Sequence, residues 1–168
     1  MKTKQIVTRA AGVIVVVGAL FGAGTVAQAN EQSGDHASKA QARAIEGVWE
    51  PTVTARDCQT QAPLFTFLSM ASYLRGGSLV VENASEPSQR ATGLGVWRHA
   101  GGRNFTSAFQ FFTYAPDGTL SGRIRSSTRI RLSADGKSFR SSDTVEVSDL
   151  NGTVILRGCV TQEAIRLQ

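Results

Sequence analysis

From Gly47 onward apolar and polar positions alternate with a period of two, and turn residues interrupt the alternation at short intervals. Between Leu120 and Leu132 the even positions read Leu, Gly, Ile, Ser, Thr, Ile and Leu, while the odd ones include Arg123, Arg125, Arg129 and Arg131. Phe105, Phe109 and Phe111 likewise share one parity. Such a period sends successive side chains to opposite faces of a sheet, and a helix explains neither run. The interruptions are Gly76-Gly77, Gly101-Gly102, Asp117-Gly118, Asp135-Gly136 and Asn151-Gly152, steps that suit tight hairpins. They predict eight strands at about 47–56, 64–74, 78–82, 93–99, 103–114, 119–132, 137–148 and 153–166. Mostly short connections make sequence neighbours spatial neighbours.

The chain before Gly47 has a different texture. Lys2, Lys4 and Arg9 precede an uncharged stretch, Ala10 to Phe21, and Ala27 and Ala29 then fit a small-x-small cleavage pattern. The uncharged stretch is shorter than the roughly 20 residues of a spanning helix. Residues 1–29 are therefore expected to be a cleaved signal peptide of bacterial character, and the protein secreted or periplasmic. Residues 30–45 are polar and read as a tether or short helix, and 46–168 as the β-domain. Loss of the leader takes three bases and no acid from 18 Lys and Arg against 13 Asp and Glu, so the net charge falls from +5 to +2. That removes most of the case for nucleic acid as a partner.

Cys58 and Cys159 both lie in the exported part, where two cysteines are most simply one disulfide. Their numbers sum to 217, and antiparallel pairing holds such a sum nearly constant, so Trp49 is expected beside residues 166–168. The first strand would then lie against the last, as a closed barrel requires. The other reading is a sandwich in which the bond ties down a loop.

Gly47-Val48-Trp49 opens the first strand of this meander, and Arg166 comes from the last. The arrangement resembles the calycin superfamily, lipocalins in particular, whose first strand carries Gly-x-Trp and whose last strand region supplies an Arg over the Trp. Avidin-like barrels and the allene oxide cyclase and dirigent type share the general architecture. The resemblance implies an all-β, antiparallel, eight-stranded up-and-down barrel with Trp49 and Arg166 as its barrel-closing pair.

A barrel of eight strands either fills with side chains or encloses one small ligand. The inward parity collects Phe65, Phe67, Tyr73, Phe105, Phe109 and Phe111, with Ser126 and Thr128, and with Ser141 and Asp143 if Phe139 points inward. Aromatic residues on that face are core in the plainer reading. In the sharper one they wall a pocket for a small amphipathic molecule, because inward hydroxyls need partners. Catalysis is disfavoured: His36 falls in the tether, His99 near a hairpin end, and no triad, phosphate loop or metal motif is present. No cofactor or metal is expected. A cyclase or isomerase using Asp143 is the first alternative. The second is a filled barrel that meets an anionic surface through Arg123, Arg125, Arg129 and Arg131.

Overall fold

The computed structural model describes residues 39–84 and 90–168, so the signal peptide and the tether up to residue 38 lie outside the described residues. Residues 39–42 are helical. The strands that follow are β1 (Gly47–Arg56), β2 (Pro63–Tyr73), β3 (Ser78–Asn83), β4 (Gly93–His99), β5 (Asn104–Tyr114), β6 (Leu120–Leu132), β7 (Ser138–Ser148) and β8 (Val154–Arg166). Each boundary falls within one residue of the position that the alternation and turn residues predict.

Every strand pairs antiparallel with its predecessor, and β1 pairs with β8, so the sheet is a closed barrel in simple up-and-down order. Closure leaves no strand with an unpaired edge. The disulfide Cys58–Cys159 is present, with a Cα–Cα distance of 5.2 Å. Trp49 pairs with Arg166 and Arg56 with Cys159, so the register differs by two from the value the cysteine numbers give. The reason is local. Cys58 has already left β1 for the turn into β2, and the bond reaches back to a strand residue.

The barrel has one filled end. Trp49, Phe139, Phe105, Ile45 and Leu79 are all under 2% exposed or close to it and pack there with Trp97. Trp49 and Phe139 meet at 4.9 Å between ring centroids, and the Trp49 Nε1 donates to the carbonyl of Ile45 at 2.9 Å. The guanidinium of Arg166 lies over the indole ring at 4.2 Å. It also donates to three backbone oxygens, those of Ala44, Glu46 and Gly136. One side chain thereby ties the N-terminal segment, the β6–β7 hairpin and the last strand together.

This contact explains the Gly-x-Trp triplet physically. Gly47 has φ +134, and a Cβ there would stand 2.6 Å from the Arg166 Nη1. Only glycine gives both the backbone conformation and the space. The repeat at Gly95-Val96-Trp97 has a different cause. A Cβ at Gly95 would lie 2.5 Å from the Cβ of Phe109, so the missing side chain makes room for the neighbouring strand. Trp97 donates from Nε1 to the carbonyl of Leu74 at 2.9 Å, closing the same end.

The hairpins are held by aspartates as well as by glycine. Asp117, Asp135 and Asp149 each accept a backbone N–H two residues on, from Thr119, Lys137 and Asn151. These are the local side-chain turns that Asp forms readily.

Candidate functional site

The opposite half of the barrel is hollow. A cavity of about 700 Å³ runs from a mouth at Leu64, Phe65, Leu156 and the Cys58–Cys159 bond down to a polar floor. The change from filled to hollow follows from side-chain size at successive levels. Where the closed end has Trp49, Phe105 and Phe139, the level above it has Ala71, Ser69, Ser107 and Ser126, which cannot meet across the lumen.

Of the ten residues expected on the inward face, Phe65, Phe67, Tyr73, Phe109, Phe111, Ser126, Thr128 and Asp143 border this cavity, while Ser141 is set back from it and reaches it only through its bond to Asp143. Phe105 does not border it either. It shares their parity but lies one level deeper, 1% exposed, against Trp97 and His99 in the closed end. Phe139 points inward at 2% exposure, which brings Ser141 and Asp143 to the lumen side of β7. Ser69, Ser107 and Gln162 join the lining without having been singled out from sequence. Ser107 could have been, since it alternates with Phe105 and Phe109; Gln162 needs the β7–β8 register to place it beside Asp143.

Asp143 is the only charged side chain at the floor among the described residues that border the cavity; Arg56, Asp57 and Arg157 lie at the mouth. Its carboxylate is 5% exposed and accepts a hydrogen bond from Ser141 Oγ at 2.8 Å and another from Gln162 Nε2. Thr128, its cross-strand partner, and Ser126 also face it. No described cation is paired with it. Burial dominates these hydrogen bonds and raises its pKa from 3.8 to about 6. Nearby, burial pushes the Tyr73 phenol well above its ordinary value, so it stays neutral. Ser107 Oγ is buried and meets no partner with hydrogen-bond geometry.

The raised pKa has a consequence for stability. The folded state holds the Asp143 proton more tightly than the unfolded chain does, so this group stabilises the fold most below about pH 4. That contribution is lost as pH rises to about 6, and amounts to something on the order of 2–3 kcal/mol. Asp143→Asn should remove it. In urea titrations across that range, the difference between wild type and variant should grow with pH; parallel profiles would contradict the assignment.

His99 does not border the cavity. His36 lies outside the described residues, and His99 is half-buried, with Nε2 within 2.7 Å of the Gly102 carbonyl. Outside the barrel, Arg123, Arg125, Arg129 and Arg131 all project to solvent from β6, as their parity predicts. Arg131 stands opposite Arg140, and Arg125 opposite Glu146, which already pairs with Arg157 at 3.0 Å. No cluster of metal-ligating side chains occurs among the described residues.

The closed eight-stranded antiparallel barrel is consistent with a calycin-like fold. Neither the protein-family models nor the curated proteins give a match to the chain, so geometry carries the functional reading.

Proposed function

We propose that this protein is an exported binding barrel that holds a small, partly apolar molecule in its open half. The observation that carries the reading is the cavity of about 700 Å³, walled by Phe65, Phe67, Phe109 and Phe111 and floored by hydroxyls and a carboxylate. An apolar pocket with a few convergent polar groups is the usual form of a small-molecule site. The disulfide supports export, since such bonds persist in oxidising compartments.

A neutral fluorescent probe, N-phenyl-1-naphthylamine, tests the cavity directly. Its emission should rise and shift to the blue on addition of the protein. Ser107→Leu should weaken binding roughly tenfold or more by occupying the lumen, at a cost in stability of about 1 kcal/mol from the lost contact between the Ser107 hydroxyl and the Tyr73 phenol. No change in probe emission with the wild-type protein would sink the reading.

A second reading draws on Asp143 itself. A buried carboxylate with a raised pKa, open to a cavity, is what an isomerase or cyclase would use as acid or base. It differs in outcome: a bound compound would be released with altered connectivity, whereas a carrier returns it unchanged.

A further inference from the structure

The floor of the cavity holds a carboxylate and, among the described residues, no cation. An ionised carboxylate only accepts hydrogen bonds and has room for about four. Asp143 receives them from Ser141 and Gln162, with Thr128 and Ser126 also turned to it, all neutral groups that leave its charge unpaired. Ser107 Oγ, buried at the same level, faces the Tyr73 phenol. The negative charge is not balanced by the groups around it. From β6 it is faced by Ser126 and Thr128, from β8 by Gln162, and across the lumen by Ser107 and the neutral Tyr73, none of them cationic. The charged side chains bordering the cavity are otherwise Arg56, Asp57 and Arg157, all at the mouth. Arg56 is engaged there with Thr161 and the Gln61 carbonyl, and Arg157 with Glu146.

A buried charge without a counter-ion is costly, and the cost is relieved by a partner of opposite sign. Between floor and mouth the wall is built of Phe67, Phe109 and Tyr73, aromatic rings that attract cations as well as apolar groups, and of Phe111, whose ring already lies under Arg90. We propose that the guest of this barrel is an amphipathic amine, whose protonated nitrogen pairs with Asp143 while its apolar body lies along the aromatic wall. An ammonium suits the floor because it brings three donors and no acceptor. A carboxylate guest would meet repulsion at the floor.

The inference rests on the binding reading above, and one pair of probes separates the two. 4-Phenylbutylamine and 4-phenyl-1-butanol differ in the charged group and little else. By calorimetry at about pH 8, where Asp143 is ionised, the amine should bind roughly ten- to a hundredfold more tightly than the alcohol. At about pH 5 the carboxylate is largely protonated and that preference should shrink, while the alcohol changes little. In that interval Tyr73 stays protonated, and Asp57, held low by hydrogen bonds from Thr60 and Gln59, stays ionised. Asp143→Asn should abolish the preference and spare the alcohol. Equal binding of both probes to the wild type overturns the charge pairing and leaves the cavity reading intact; binding of neither removes both. An amine preference that survives Asp143→Asn, or one that is unchanged between the two pH values, also overturns the pairing, and the second comparison needs no variant.

Discussion

Trp49→Ala should destabilise the barrel by about 3–5 kcal/mol, the range for removal of a buried large aromatic side chain. Trp49 is fully buried and is held on three sides: by Phe139, by the Ile45 carbonyl at its Nε1, and by the guanidinium of Arg166. The loss therefore reaches beyond the cavity it leaves. Arg166 would lose the surface it lies on and, with it, the order of its bonds to the N-terminal segment and the β6–β7 hairpin. Urea unfolding should show a lower midpoint at an unchanged slope. A change below about 1 kcal/mol would mean that the closed end is not the cornerstone of the barrel.

The second large effect belongs to the other end. Reduction, or Cys58→Ser with Cys159→Ser, should cost about 2–5 kcal/mol, as expected for a native bond in a small domain. The bond spans 101 residues of sequence and lies at the cavity mouth, so its loss should loosen the β1–β2 turn before it loosens the closed end. Amide exchange compared with and without reductant would show this. Protection should fall first around residues 57–62, while Trp49 and Ile165 keep theirs. Uniform loss of protection would indicate that the bond holds the whole barrel rather than its rim.

How much of this was legible in the sequence follows from the range of each interaction. The strands are set by local signals, the period of two and the Asp-Gly and Asn-Gly steps, and they appear where those signals put them. Closure was legible through the two cysteines, with an error of two residues because Cys58 lies in a turn. Parity placed Asp143, Ser126 and Thr128 on the inner face, since parity is a property of one strand alone. What parity cannot supply is depth. Phe105 and Phe109 point the same way, yet one packs into the closed end and the other borders the cavity. Depth depends on strand tilt and on the registers of all eight strands together, and so does hollowness. It is set by small residues on different strands, Ala71, Ser107 and Ser126 among them, that come to one level only after closure. The contact between Gln162 and Asp143 is of the same kind, a diagonal pair across β7 and β8.

The pairing of β1 with β8 also bears on how quickly the chain reaches this shape. All other strand pairs join neighbours in sequence, and their ladders can form across short loops. The closing pair brings Trp49 to Arg166, so it carries the largest single loop-closure cost of the fold and is the natural slow step. The Cys58–Cys159 bond joins the same two strands, next to the ladder pair Arg56 and Cys159. A chain that collapses with that bond already made searches for its last ladder over a few residues instead of a hundred or so. An oxidant that forms this bond early therefore helps to set the rate at which the barrel closes, as well as the stability of the closed form.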